Sequence, residues 1–176
     1  IKANALYLMD LGYFKLPSFE KIISGDAFFI SRYFMGTKLF DLEHNPIDLP
    51  DLLRNSGSLI SQDVLIGAKT KLKVRLVAQQ LPDDIVEQRI RRLKRDYKRR
   101  GHKLSTEKRV LSRWNIFITN VSEQQLDNSQ IFSTYALRWQ IELLFKLSKS
   151  GMKIHVSNSK KPARIFIELY AKLICL

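Results

Sequence analysis

Residues 135–149 read YALRWQIELLFKLSK, and this stretch carries the most information in the chain. At about 100° per residue on an α-helix, one stripe roughly 80° wide carries the polar side chains Tyr135, Arg138, Glu142, Lys146 and Lys149. Leu137, Ile141 and Leu144 fall on the far side. The pattern predicts one helix that packs through an apolar face and presents a single carboxylate among cations and a phenol.

Two interpretations of this helix are open from its geometry. Arg138 with Glu142, and Glu142 with Lys146, are i,i+4 pairs that stabilise an ordinary surface helix by a few tenths of a kcal/mol. The spacing Tyr-x2-Arg-x3-Glu-x6-Lys, however, resembles the signature of the insertion-sequence-4 family of bacterial DDE transposases, with Tyr135 and Lys149 in its outer positions. The context LRWQIELLFK is also similar to that family.

A second segment lies near the start of the chain. Residues 5–9 predict a short buried strand that ends at Asp10, residues 18–23 a helix, and residues 27–33 a second strand. This order is typical of an α/β layer, and ligands gather at the carboxyl ends of its strands. Asp10 is alternatively an ordinary turn residue before glycine. The string MDLGYFKLPSFEKI…AFFISR resembles the segment around the second catalytic aspartate of the same family, which Asp10 matches.

The resemblance implies an α/β fold of RNase H-like type, with a mixed sheet, flanking helices and a mostly β insert. It implies a partial core at residues 1–33, an insert with a basic helix at 34–113, and the rest of the core at 114–176. In that family three carboxylates hold two Mg²⁺ ions, and the enzyme uses these ions to cut and join DNA at transposon ends. Asp10 and Glu142 would be catalytic metal ligands, and Tyr135, Arg138 and Lys149 would hold phosphates. Geometry alone adds Lys146 to this set.

The first aspartate of the family triad has no match, because residues 1–9 contain no acidic residue. The opening strands of the fold are missing as well, and the apolar helical pattern at the other end continues to Leu176. We therefore expect the C-terminal part of a transposase catalytic domain, from a truncated gene, a frame-shifted remnant or a split reading frame. We expect it to be inactive alone.

Composition points to a polyanionic partner. The chain has 176 residues, 45% of them hydrophobic, and a net charge of +13. Nucleic acid is the usual partner of so basic a domain. The single cysteine, Cys175, excludes a disulfide or Cys-based zinc site within the chain. No apolar run is long enough to span a bilayer. We expect a cytoplasmic, nucleoid-associated protein that binds double-stranded DNA and acts as a homodimer, as the family does.

Basic residues concentrate in three places. Residues 83–100 predict a helix, capped by Asp83 or Asp84, whose second half is densely cationic, and we expect Arg92, Arg95 and Arg99 to contact phosphates. Residues 63–68 and 71–79 predict a hairpin with one basic face, which is either a DNA surface or a lysine-protected edge. Trp114, before the strand NIFITNV, is either core or a cap on an unstacked base.

Three functions remain open from the sequence: a transposase catalytic fragment, a non-catalytic nucleic-acid-binding remnant or RNA-binding protein, and a ribosome-associated protein. They differ in one feature, since only the first requires Asp10 and Glu142 to converge on a shared metal pair.

Overall fold

A computed structural model describes residues 1–157 and 159–174. The chain divides into two compact units, Ile1–Ile131 and Phe132–Leu176, here called the first and second unit. The predicted apolar helical pattern runs to Leu176, and its last two residues, Cys175 and Leu176, lie outside the described residues. The predicted boundaries after residues 33 and 113 stay a prediction.

The first unit is built on a mixed sheet. Its seven strands, counted over the described residues, are β1 (Leu6–Met9), β2 (Phe28–Arg32), β3 (Leu39–Phe40), β4 (Pro46–Ile47), β5 (Leu59–Ile66), β6 (Leu72–Gln80) and β7 (Trp114–Thr119). Their order across the sheet is β1-β2-β7-β6-β5-β3-β4. β1 and β2 pair in parallel, and the other neighbours pair antiparallel. With its flanking helices, this mixed α/β sheet is consistent with an RNase H-like fold, which confirms the predicted fold class.

The helices follow the sequence patterns only in part. They are α1 (Leu16–Ser24), α2 (Leu49–Asn55), α3 (Asp83–Arg99), α4 (Thr106–Ser112), α5 (Asn128–Ala136), α6 (Arg138–Lys146) and α7 (Pro162–Ile174), with a short 3₁₀ helix at Leu11–Tyr13 and a π-helical turn at Leu147–Gly151. The insert expected to be mostly β contains α2 as well, and Asp48 caps this helix by accepting a hydrogen bond from Asp51 N at 2.9 Å. In the described part of the chain no helix has the length and hydrophobicity to cross a membrane.

One face of the sheet is covered by α1, α2 and α4. Phe19 of α1 stacks on Phe29 of β2, with 4.4 Å between ring centroids, and Leu53 of α2 and Leu111 of α4 join the same core. Alternate residues of β6 point into this core, and Val77, between them, is also fully buried. The sheet is therefore covered on both faces at β6.

The predicted basic face of the hairpin is buried at Arg75. Arg75 is only 6% exposed, and its Nη2 donates to the Leu126 carbonyl at 2.7 Å. Burial lowers the pKa of the Arg75 guanidinium, although the nearby Glu123 carboxylate opposes this. The alternative of a lysine-protected edge is wrong, since β6 lies between β5 and β7. The alternative of a DNA surface fails at Arg75 and stays a prediction for the exposed Lys73. Lys73 remains exposed and pairs with Asp63 at 3.0 Å.

The first half of α3 is fastened to the sheet. Val86 is buried, and Arg89 donates to the Trp114 carbonyl at 3.1 Å and to Asn115 Oδ1 at 3.0 Å. Burial lowers the pKa of Arg89, and the positive charge of Arg32 lowers it further. The predicted cap by Asp83 or Asp84 is wrong: Pro82 occupies the cap position, and Asp83 accepts from Arg113 at 3.0 Å.

Asp127 caps α5. Its Oδ1 accepts hydrogen bonds from Gln130 N at 2.8 Å and Ser129 Oγ at 2.7 Å. The backbone N–H of Gln130 is the main reason why the pKa of Asp127 lies below its ordinary value. The start of α5 is therefore fixed by an ionised carboxylate.

We expect Arg89→Met to lower the free energy of unfolding by about 2 kcal/mol, because the carbonyl and amide acceptors that Arg89 satisfies lose their donor. Arg92→Met, the same change on an exposed position of the helix, should change it by less than about 0.5 kcal/mol. Urea unfolding measures both. Equal values for the two variants would show that the Arg89 bonds contribute no net stability.

We expect the cap at Asp127 to make stability acid-sensitive. The folded-state pKa lies below the unfolded one, so this contribution is present above about pH 4 and is lost as the pH falls through the folded-state pKa. Asp127→Asn keeps a capping oxygen that does not titrate. Unfolding midpoints measured between about pH 5 and about pH 2 should fall less steeply for this variant. Parallel curves for the two proteins would contradict the assignment.

Candidate active site and cation-rich helix

Asp10 directly follows β1 and starts the short helix Leu11–Tyr13. Its backbone is extended, its carbonyl accepts from Tyr13 N at 2.9 Å, and the residue is exposed. A Cβ added to Gly12 would lie 4.0 Å from Asp10 Oδ2, so the carboxylate stays close to the turn. Asp10 thus stands at the carboxyl end of a parallel strand, as predicted.

Arg32, which the sequence pattern did not single out, lies one position after the last β1–β2 pair, as Asp10 does. The β1–β2 register pairs Met9 with Ser31, so the next positions on the two parallel strands are Asp10 and Arg32. Paired residues of parallel strands project to the same face. The only signal in the sequence was the arginine at the end of AFFISR, and the register that gives it meaning is not visible there.

The residues of the 135–149 stretch contact one another in the second unit. The Nη1 atom of Arg138 donates to Glu142 Oε1 in a short hydrogen bond, and the Arg138 guanidinium carbon lies 5.5 Å from the centroid of the Tyr135 ring. The Arg138 side chain is 20% exposed and that of Glu142 is 43% exposed. Tyr135, Arg138 and Glu142 therefore form a continuous phenol–guanidinium–carboxylate series.

Residues 135–149 do not form the single regular helix that the sequence predicts. Tyr135 lies in α5, and the helix is interrupted at Leu137, where the Leu137 and Gln140 amides donate three residues back, to Thr134 and Leu137. α6 then carries Arg138, Glu142 and Lys146, and Lys149 lies in the π-helical turn. A π-helical turn has more residues per turn, so Lys149 departs from the straight stripe.

Carboxylate oxygens are the ligands that Mg²⁺ prefers, and Asp10 and Glu142 supply them with solvent access. Across the residues the structure describes, no three His, Cys, Asp or Glu side chains cluster as a metal site would require. Asp10 belongs to the first unit and Glu142 to the second, and each is described within its own unit. Whether the two share a metal pair stays a prediction.

The cationic second half of α3 projects away from the sheet. Arg92, Arg95 and Arg99, which the sequence predicted as phosphate contacts, are exposed. Arg91 pairs with Glu87 at 2.9 Å and Arg99 with Asp96 at 3.4 Å, both on the surface. Trp114, the other predicted DNA contact, is 5% exposed within the core cluster, so the core alternative is the one that the structure shows.

Comparison with known proteins agrees with the sequence pattern. The family model of the transposase DDE domain matches residues 1–176. The chain is 30% identical over 190 residues to the transposase for insertion sequence element IS1151 of Clostridium perfringens, covering 97% of this chain and 40% of that protein. It is 26% identical over 195 residues to the transposase for IS231F of Bacillus thuringiensis subsp. israelensis, covering all of this chain and 41% of that protein.

A third relative is the putative transposase InsL for insertion sequence element IS186A of Escherichia coli strain K12, 26% identical over 182 residues. That match covers 98% of this chain and 49% of the relative. The chain thus spans between about two fifths and one half of the length of these relatives. Because the family model matches from the first residue to the last, the chain belongs to the DDE transposase domain family.

Proposed function

We propose that this chain forms part of an insertion-sequence transposase that cuts and joins DNA at the ends of its element with the help of divalent metal ions. The observation that carries the proposal is the series Tyr135–Arg138–Glu142, in which the signature residues contact one another. Their spacing, completed by Lys149, supports assignment to the insertion-sequence-4 group. The order of the matched segments, Asp10 first and Glu142 later, supports placing the chain in the C-terminal part of the transposase.

The proposal assigns two of three metal ligands to this chain, Asp10 and Glu142. Two Mg²⁺ ions bound by such carboxylates would activate water or a 3′-hydroxyl and stabilise the leaving oxygen of a phosphodiester. The third carboxylate of the family triad has no match in residues 1–9. Because the chain spans only about two fifths to one half of the length of its relatives, the proposal concerns a transposase that contains this chain, acting as a homodimer on paired DNA ends in the nucleoid.

The remaining side chains of the signature would hold the DNA. Arg138 presents a planar fork suited to phosphate oxygens, and Lys146 and Lys149 follow it on exposed positions of the same segment. Tyr135 keeps the guanidinium in place through its ring. Arg32, which like Asp10 follows the last β1–β2 pair, would attract a phosphate toward that carboxylate.

Glu142→Gln tests the catalytic assignment. In a transposase containing this chain we expect binding of the element ends to be retained and cleavage to fall at least about 100-fold, since the amide replaces a charged ligand. Glu43→Gln, the same change at an exposed loop position, should leave cleavage intact. A gel-based assay of end binding and strand cleavage separates the two effects. Normal cleavage by the Glu142 variant would remove this residue from the mechanism.

The salt dependence of binding tests whether DNA is a partner at all. With six phosphate contacts, the affinity of the chain for duplex DNA should fall about 10³-fold between roughly 50 and 200 mM salt. The matched measurement is made on a neutral polymer of similar length, where no such loss is expected. A flat response with duplex DNA would rule out the phosphate contacts, including those of a non-catalytic nucleic-acid-binding module.

A further inference from the structure

The exposed cations of α3 cover nearly one half of the helix circumference. At about 100° per residue, those between residues 91 and 99 cover an arc about 160° wide, in the angular order Lys94, Lys98, Arg91, Arg95, Arg99 and Arg92. All six are exposed. We call this set the cationic arc, with Lys94 and Lys98 as its first flank and Arg92 and Arg99 as its second flank.

The opposite side of α3 is the packed side. Val86 is buried, and Arg89, Ile90, Leu93 and Tyr97 are partly buried. The centre of this side lies roughly opposite the centre of the arc. The arc is therefore the part of the helix that points away from the protein.

Side-chain contacts connect the helix to the rest of the first unit near both of its ends. Arg89 binds the carbonyl of Trp114 on β7, and Arg113 pairs with Asp83 at the first turn. Near the last turn, Lys108 of α4 donates to the Tyr97 hydroxyl in a short hydrogen bond and lies 4.9 Å from the centre of its ring. A helix fixed in this way adds no backbone ordering cost on binding, and only the exposed side chains lose rotamer freedom.

Local electrostatics do not account for the arc. Cations near the carboxyl end of a helix complement its dipole, but one or two charges in the last turn suffice for that effect. The pairs Arg91–Glu87 and Arg99–Asp96 are exposed, and pairs of this kind contribute about 1 kcal/mol at most. Six cations on neighbouring positions repel one another, so an anionic partner that surrounds the arc would stabilise them.

We propose that α3 lies in the major groove of duplex DNA, with its first flank on the phosphates of one strand and its second flank on those of the other. The major groove is about 12 Å wide and admits a helix of about 10–12 Å diameter. A single phosphate strand along a helix would meet only one flank. The wide arc fits a concave surface with an anionic wall on each side, which is the shape of that groove.

The inference rests on the proposed function in one respect, that DNA is the partner. The test uses the whole chain with a duplex of about 20 base pairs and measures the dissociation constant from roughly 50 to 300 mM salt. The variants are Lys94→Gln with Lys98→Gln, Arg92→Gln with Arg99→Gln, and the four changes together. Lys21→Gln with Lys69→Gln removes the same charge from exposed positions outside α3.

Each flank variant should reduce the slope of log affinity against log salt by about 1.8, and the combined variant by about 3.6. The control pair should leave the slope unchanged. Lys94→Arg with Lys98→Arg should also retain it, which separates loss of charge from any loss of fold. A change from only one flank, or from neither, overturns the groove placement.

Duplex RNA of the same sequence supplies the discriminating probe. Its major groove is deep and too narrow for the helix to enter, so the two flanks should not both retain their effect on RNA. Equal losses on DNA and RNA would overturn the proposal and favour a general polyanion surface. If the flanks have no effect while cleavage still depends on Glu142, only the groove inference fails. If both flanks act but Glu142→Gln cleaves normally, only the catalytic proposal fails.

Discussion

The antiparallel pairing of β6 with β7 is the constraint on which the first unit depends. Leu76 of β6 pairs with Ile118 of β7, and both are fully buried on one face of the sheet. Val77 of β6 is fully buried on the other face. The elements that carry candidate functional residues are attached to this pair. β2 pairs with β7 and in turn positions β1 and Asp10, while α3 is bonded to the start of β7 through Arg89. A site built on such strands is held more accurately than one on a loop.

Basic residues have two different roles in this chain, one in the interior and one on the surface. The chain has 30 lysines and arginines against 17 aspartates and glutamates, yet its basic clusters are not uniformly surfaces. Arg75 and Arg89 are turned inward, and burial lowers the pKa of each. They remain charged there because backbone carbonyls accept their hydrogen bonds, which a lysine could not satisfy with the same planar geometry. The cationic arc, by contrast, consists of six exposed residues on one helix, and this makes it a more specific feature than the net charge.

Local sequence patterns predicted the elements that local interactions decide. The strand before Asp10, helix α1, helix α3 and the strand after Arg113 all follow from periodicity and turn residues. Helix α2 was missed because its seven residues cover too few turns for a helical period to show. The surroundings of the basic hairpin were not predicted, because a period of two shows which face a side chain lies on but not which strand lies beside it. The strand β7, which pairs with the edge of β6, comes more than 30 residues later in the chain. The site divides in the same way. Contacts among Tyr135, Arg138 and Glu142 depend on spacings of three and four residues, whereas the neighbourhood of Asp10 and Arg32 depends on a strand register that no spacing encodes.

The ion pair between Arg138 and Glu142 has two consequences under the proposed function. Without this ion pair, Glu142 could pair with any of several cations on its helix. The bond to Arg138 fixes both the partner and the carboxylate oxygen that is engaged. Because Glu142 is 43% exposed, this pair contributes about 1 kcal/mol at most, so a divalent cation can compete for the carboxylate at low cost. Loss of the carboxylate then leaves a guanidinium, still aligned with the ring of Tyr135, in need of an anion. A DNA phosphate supplies that anion, so metal binding at Glu142 and phosphate binding at Arg138 should favour each other. Binding would then replace the Arg138–Glu142 salt bridge by two new ion pairs, one between Glu142 and the metal ion and one between Arg138 and a DNA phosphate.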